Sequence, residues 1–542
     1  MKRMLFLFLF ISILPYTKVW ADEYDFYQEC ETGQTLYYGI IDNFDHNWVS
    51  VVRPSDNWVG YEKPAGEMLI PSSVQYNGVT YSVVRIGYYA FMNCTDLTGS
   101  LILPPTIRDI GDSAFKDCSG FNGTLTLPSS IVGIDCEAFS GCSGFTGALV
   151  IPENLNYIQG ESFLNCSGFT SLSLPQTMEG IGFNAFQGCS GFTGTLTLSE
   201  GLFEIDNEAF EGCSGFTGPL IIPNGVKYIE SSAFQNCSGF TSLSLPPFLS
   251  RLGTRCFYNC SGMIGELVLP EGSYDVEYYA FKNCSGFTGL SILCNLYEIQ
   301  SGVFAGCTGL QGELHLPNTV TRIDDEAFMN CSGLEIPSDF PASLESIGRR
   351  AFKGCVSFAG ELVLPEHLTS IWDEAFSGCT GLSGQLVLPT ALKKVLGKAF
   401  LNCPFSEIYV KSHIPPEIVE DSFEGMPFDI PVHVECGIVY LYQHHPYWHV
   451  FERISGEFVY EFLATSSHEA WGTVTIQHEP DCQDDQAVLL AEPNDGMRFS
   501  HWTKNGNIVS RNPQLFITVD ENIEVVGHFV PAKGEKDAVV QP

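Results

Sequence analysis

Fourteen of the chain's 20 cysteines recur at spacings of 23 or 24 residues: Cys94, Cys118, Cys142, Cys166, Cys189, Cys213, Cys237, Cys260, Cys284, Cys307, Cys331, Cys355, Cys379 and Cys403. Thiols can pair as disulfides, ligate zinc, attack as nucleophiles, or pack as small hydrophobes. Their spacing and their neighbours choose among these. A Phe stands three positions before each of them, from Phe91 to Phe400, and Ala usually precedes that Phe. A nucleophile has no reason to be copied fourteen times. Zinc needs clustered ligands from different directions. An exported chain permits disulfides, and neighbouring Cα atoms would lie within range. Parallel in-register side chains point the same way, however, which suits the bridge torsion badly. The expectation is a structural ladder of reduced, buried thiols with no metal, and disulfides between neighbouring coils are the rival.

A fixed period of this length means a solenoid. One complete unit is "LTLPSSIVGIDCEAFSGCSGFTGA", from Leu125. "LTL" alternates as a half-buried strand does, with its leucines inward and Thr126 outward. Pro128 cannot donate to a ladder and ends the strand. Ile131 and Ile134 re-enter the core on a second edge of the coil, and Ala138-Phe139 fills the corner. Ser143-Gly144 reads as a turn in which Gly takes a positive φ. Stacked neighbours bury these faces, each adding a rung of parallel sheet about 4.8 Å from the last. The "NCS" at Asn165, Asn236 and Asn283 fits a glycosylation acceptor, but here it is the repeated corner.

The net charge is -37, although only 16% of residues are charged. A polyanion would repel such a chain, so nucleic acid is not an expected partner. The start, "MKRMLFLFLFISILPYTKVWADEYD", has a basic end, a short apolar run and Val19-Trp20-Ala21 as a small-residue cleavage site. It reads as a signal peptide over 1–21. No segment has the length of a transmembrane helix. The expected product is exported, either secreted or at the cell surface, with the periplasm an alternative, and monomeric. Alternating strands around an Asn77-Gly78 turn suggest an N-terminal β cap over 22–82. "DNFDHN" from Asp42 has calcium-loop residue types without the spacing, so a solvated turn is expected. The solenoid then runs over 83–426 and a capping unit over 427–454. In the latter, His444, His445 and His449 lack partners at metal spacing, and Tyr447 and Trp448 suggest packing. A small β-rich module over 455–531 and a loose tail over 532–542 complete the chain.

The pattern LxLPxxIxxIxxxAFxxCSG at this spacing resembles the BspA-like leucine-rich repeats, also called the Treponema pallidum type, over Val83 to Met426. The resemblance implies a curved leucine-rich-repeat solenoid of about 14–15 units of 23–24 residues. It also implies a bacterial, often host-associated, secreted or surface protein with an adhesive role. No single residue set carries that role, so no site transfers with it. Gly472-Thr473-Val474, Ala491, Pro493, Gly496, Phe499, Trp502, Asn512-Pro513, Asp520 and Phe529 resemble the divergent internalin B-repeat (Listeria–Bacteroides repeat) group. That likeness implies a small extracellular β module.

No GxSxG, P-loop, GxGxxG or HExxH is present. A solenoid offers a long concave sheet instead, which suits binding. The expected function is therefore non-enzymatic binding or adhesion to a host or bacterial protein or glycoprotein, such as a matrix or mucosal one, without a cofactor. The alternatives are an architectural surface component and a glycan-binding accessory protein. By register, the outward row of that face runs Thr126, Val150, Ser173, Thr197, Ile221, Ser244, Val268, His315, Val363, Val387 and Tyr409. A neighbouring position turns acidic toward the C-terminus, at Glu266, Glu313 and Glu361, and favours a basic partner. The row's small and β-branched residues also suit any exposed sheet. With only Tyr409 as an aromatic platform, the row favours a protein over a sugar.

Overall fold

The computed structural model describes residues 24–41, 46–272, 274–457, 462–480, 486–519 and 521–532. The signal peptide, residues 42–45 of the "DNFDHN" stretch, Cys482, Asp520 and the tail from 533 lie outside the described residues. The chain divides into two compact units, Met1–Gln311 and Gly312–Pro542.

In the first unit, strands Phe26–Glu29, Thr35–Ile41 and Trp48–Val52 pair antiparallel. Trp48–Val52 then pairs parallel with Val79–Ile86. The latter is one arm of a hairpin whose turn needs positive φ at Asn77 (51°) and Gly78 (79°). Val79–Ile86 hands its register to Asp109–Ile110 and Gly133–Ile134. From there the solenoid is parallel. Each isoleucine strand pairs with the same strand one coil on, in a six-stranded ladder from Tyr157–Ile158 to Asp275–Val276.

The leucine strands behave differently from expectation. They form separate pairs, such as Ala148–Val150 with Ser171–Ser173 and Gly218–Ile221 with Phe240–Ser244, rather than one continuous ladder. The register slips at Gly218/Pro219 and again at Gly265/Glu266. Gly218 and Gly265 sit at φ of 80° and 85°, so the chain enters these strands through a bulge.

Burial explains the repeat. Ala138, Phe139, Cys142, Phe145 and Ile131 are all fully buried. Phe115 and Phe139 stack with centroids 5.3 Å apart and planes 3° apart, and the column continues coil by coil. A second column, Phe121 on Phe145 at 4.7 Å, meets the first edge-on. Most ladder thiols also have a job that spacing alone did not show. Cys142 Sγ donates to the Phe115 carbonyl of the preceding coil at 3.0 Å, and Cys166 Sγ does the same to Phe139. The thiol thus satisfies a carbonyl beside the buried column. All fourteen ladder cysteines are buried and unbridged. Burial pushes Cys94 and Cys189 up to about 12, so the nucleophilic thiolate is disfavoured. Outside the ladder, Cys436 is disulfide-bonded.

Two corner residues need correction or completion. Gly144 is not at positive φ. A Cβ there would lie 2.0 Å from the Phe121 carbonyl oxygen and 2.6 Å from that of Ser119, so glycine is required by the close approach of the previous coil. One left-handed position is instead the residue before each cysteine, with φ of 59° at Asn165, 75° at Gly141 and 61° at Asp117. Asn, Gly and Asp tolerate that region best. The "NCS" asparagines are therefore backbone corners. Asn259 Nδ2 donates to Asn236 Oδ1, and Asn283 Nδ2 to Asn259 Oδ1, both at 2.9 Å.

In the second unit the isoleucine ladder runs in parallel from Arg322–Ile323 to Glu417–Ile418. A five-stranded parallel sheet is built from Ala359–Leu362, Gly381–Leu388, Glu407–Val410, Pro431–Glu435 and Arg453–Glu457. Between its last two strands lies a short helix, Val439–Gln443. Trp448 is fully buried and its Nε1 donates to the Pro416 carbonyl, whereas Tyr447 is 40% exposed and does not pack as expected. The final module has a four-stranded and a three-stranded sheet. Its core gathers Leu489, Ala491, Trp502, Val525 and Phe529. Trp502 Nε1 donates to the Asn512 carbonyl at 2.9 Å. Gly472 leaves room for the Phe529 ring, which a Cβ would approach to 2.3 Å.

Candidate binding surface

The leucine strands put alternate side chains in and out. In the first unit, Leu149, Leu220 and Leu267 are buried, while Thr126, Val150, Ser173, Thr197, Ile221, Ser244 and Val268 are exposed. Exposed aliphatics face serines across the rungs: Val150 opposite Ser173, Ile221 opposite Ser244, Val268 opposite Ser291. Thr197 keeps the register outside any strand. Glu266 is exposed and accepts a hydrogen bond from Ser291 Oγ.

In the second unit, Glu313, His315, Glu361 and Val363 are exposed, and Val387 and Tyr409 are half-buried. Glu313 Oε1 accepts from the Ser338 amide at 2.6 Å, and that bonding holds its carboxyl below the usual range. Val387 stands opposite Tyr409, and Tyr409 opposite His433. The Tyr409 and His433 rings stack, with centroids 4.4 Å apart and planes 17° apart. A cavity of about 220 Å³ opens here, lined among others by Gln385, Val387, Tyr409, Lys411 and His433. Glu407 stands at its side, with Oε2 3.3 Å from His433 Nε2 and 3.4 Å from the Tyr409 hydroxyl, which donates. Lys411 Nζ pairs with Glu366 Oε1 at 2.9 Å.

Sequence reasoning placed Val387 and Tyr409 in the outward row but missed Gln385, Lys411 and His433. The alternation in "PVHVE" puts His433 outward, in phase with Tyr409 in "EIYV". That signal was legible once the strand after the last ladder cysteine was counted as a rung. Among the described residues, no group of three or more His, Cys, Asp or Glu is arranged to hold a metal ion, the His444–His449 stretch included.

Comparison with known proteins bears on these surfaces. The model of the BspA type leucine rich repeat region matches residues 73–193, 204–335 and 310–427. The divergent InlB B-repeat domain matches residues 463–533. A leucine-rich repeat protein from Bacteroides ovatus is 24% identical with a TM-score of 0.56, over 71% of this chain and 97% of its own. A leucine rich cell surface protein from Faecalibacterium prausnitzii is 20% identical with a TM-score of 0.36, over 72% of this chain and 96% of its own. The pneumococcal vaccine antigen PcpA is 17% identical with a TM-score of 0.40, over 81% of this chain and 100% of its own. No curated protein matches the chain.

Proposed function

The chain belongs to the BspA-type leucine-rich repeat family, and from that footing we propose a non-enzymatic, extracellular binding protein that presents its outward strand residues to a protein partner. Proteins of this kind are surface or exported bacterial proteins, and leucine-rich repeat solenoids are generally protein binders rather than enzymes. The observation that carries the reading is the composition of the outward row in the second unit. Glu313, His315, Glu361 and Val363 are all exposed there. Such a row offers aliphatic contact area beside carboxylates, which a basic protein surface complements. The buried thiols do not compete as catalytic groups, because each is neutral and committed to packing.

The test is a binding screen of the mature protein against immobilised fibronectin, laminin, collagen and mucin, followed by charge reversal. Glu313→Lys with Glu361→Lys should weaken binding of a captured partner and flatten its salt dependence. Reversal at Asp324 and Asp325, outside the row, should change little. A partner whose affinity and salt dependence survive the double reversal does not use this row. A glycan reading has one observation in its favour, the tyrosines of the N-terminal strands. Tyr27 is 65% exposed, and Tyr37 packs within 6.0 Å of Tyr27, 4.9 Å of Tyr24 and 5.5 Å of Tyr61. A mucin glycan that binds the double reversal unchanged but not Tyr27→Ala would favour it.

A further inference from the structure

The C-terminal module carries a pair of titratable side chains that the binding surface does not use. Met497–Lys504 and Ile523–Pro531 are the two inner strands of its four-stranded sheet, and they pair antiparallel. The register shifts between Phe499 and His501, so Ser500 is an extra residue in the first strand. That bulge turns His501 to the outer face, directly opposite His528, while its neighbour Trp502 is fully buried in the core. The two imidazoles stack with centroids 4.5 Å apart and planes 8° apart. Both are half-buried. Thr503 Oγ1 lies 3.0 Å from His528 Nε2, and Ser500 Oγ lies 2.9 Å from His501 Nδ1.

Two neutral imidazoles can stack in this way, but two imidazolium ions at the same distance repel. The groups around the pair decide whether that charge is offset. By alternation, the charged residues on the outer face of the two strands are Arg498, opposite Val530, and Glu524, opposite Leu463. Arg498 adds to the repulsion. Val526 stands between Glu524 and His528 on the same face of their strand. The flanking strands Phe462–Ser466 and Asn507–Ser510 contain no charged residue. His468, just past the former, stacks on Trp471. Lys504 pairs with Glu521 at 3.1 Å. Glu492 and His478 belong to the three-stranded sheet. Among the described residues, no carboxylate pairs with either imidazole. Burial first, and then His501, hold His528 below the usual histidine range. The fold therefore favours the neutral ring. Its stabilisation is complete above the unfolded value of about 6.5 and is lost as pH falls below it.

Carboxyls in the coils respond to mild acid differently. Burial first, and then Asp112, hold Asp135 up to about 6, so its contribution is present at low pH and lost as pH rises. Glu374 is held down to about 2 by Arg350 and Lys353, and its contribution is lost only below its ordinary value of 4.5. The capping unit has one comparable histidine, His445, held below the usual range by burial and then by His449.

We propose that His501 and His528 form an acid-sensitive latch, which keeps the module's two inner strands together while both imidazoles are neutral and lets them part when both are protonated. The latch is a device of the module and stands apart from the binding reading above. Mild acid then loosens the module while the coils stay folded.

Hydrogen–deuterium exchange of the full chain, read by mass spectrometry at about pH 7.5 and about pH 5.5, tests the latch. His501→Gln and His528→Gln each keep a hydrogen-bonding group and remove one charge. Wild type and variant are compared at the same pH, so the intrinsic pH dependence of exchange cancels. The ratio of wild-type to variant exchange in 497–504 and 523–531 should rise several-fold on acidification. The ratio in a coil peptide such as 204–229 should not move. The acid effect in the wild type should also shrink between about 0.05 M and about 1 M salt, where the screening length falls to about 3 Å. Far-UV circular dichroism checks that each variant folds, and the salt series on the wild type reads the same pair without a substitution. A ratio unmoved by pH in a folded variant, or a wild-type acid effect unmoved by salt, overturns the latch. An acid effect confined to 436–450 assigns the response to His445 and overturns it as well.

Discussion

Replacing Phe210 with Ala tests how the solenoid holds together. Phe210 is fully buried, and its ring stacks on Phe186 at 5.4 Å and on Phe234 at 5.3 Å. It also meets Phe216 edge-on at 6.5 Å. The neighbours are held by their own backbone ladders, since Phe186 and Phe210 donate their amides to the Ala209 and Ala233 carbonyls at 2.8 Å. The column therefore has little freedom to collapse into the space left by the ring. Truncation of a buried Phe of this kind costs about 3–5 kcal/mol. Against a total stability of about 5–15 kcal/mol for a domain, that is a large share. Because each coil contacts its neighbours, the loss should concentrate around residues 186–234 and split the unfolding transition. Urea denaturation followed by far-UV circular dichroism should show an earlier first transition, and limited proteolysis should cut within those coils. Phe203→Ala is the control: Phe203 is 52% exposed, and its loss should shift stability by less than about 1 kcal/mol. A Phe210→Ala protein with an unchanged urea midpoint and unchanged protease resistance would refute the stacked column as the source of stability.

The thiols give two further tests. Without reductant, Ellman's reagent should find the fourteen ladder cysteines unreactive in the native protein and reactive in denaturant, whereas their oxidation in the native fold would contradict the unbridged ladder. Their pH dependence has a definite sign: an unfolded thiol ionises near 9, and burial holds Cys94, Cys189 and Cys403 up to about 12. Their stabilisation is complete below pH 9 and is lost as pH rises toward 12, by about 1.4 kcal/mol per thiol per pH unit. Anaerobic denaturation midpoints should fall steeply above pH 9, and a flat profile to pH 11 would mean that the thiols are not desolvated. Gly144→Ala should destabilise strongly, because a Cβ would lie 2.0 Å from the Phe121 carbonyl oxygen. Gly437→Ala, with nothing within 4 Å of the added carbon, should leave the urea midpoint within error.

Much of the coil was readable because its residues obey local rules. Alternation placed Thr126 and Val150 outward, and spacing put Ile131 and Ile134 in the core. What was hidden depends on the coil before or after. Gly144 looks like any turn glycine until the Phe121 carbonyl arrives from the preceding coil. Thiols such as Cys142 and Cys166 look like generic small hydrophobes until they meet the carbonyl of the previous Phe. The left-handed φ of 56° at Glu137 has no signature in the residue type. It is held by the next coil, whose Gly160 carbonyl accepts the Glu137 amide at 3.1 Å. The bulged entries at Gly218 and Gly265 likewise have no signature in the LxL pattern.

The same logic says where specificity can arise. A solenoid of near-identical coils repeats its inward residues, and partner discrimination falls to the outward ones, which run from Thr126 and Ile221 to Glu313, His315 and Glu361. Shape and charge contrast appear where the pattern decays. After Cys403 the coil "PFSEIYVKSHIPPEIVEDSFEGMP" replaces the next ladder cysteine with Met426, and its strand carries Glu407 and Tyr409, with Lys411 just beyond its end. The following strand, Pro431–Glu435, brings His433 into the same row. Both strands keep their inward valines, with Val410, Val432 and Val434 buried, so the coil geometry persists while the outward chemistry changes. The irregular end of the second unit supplies the recess. A partner that gripped only the regular coils would bind in several registers one coil apart.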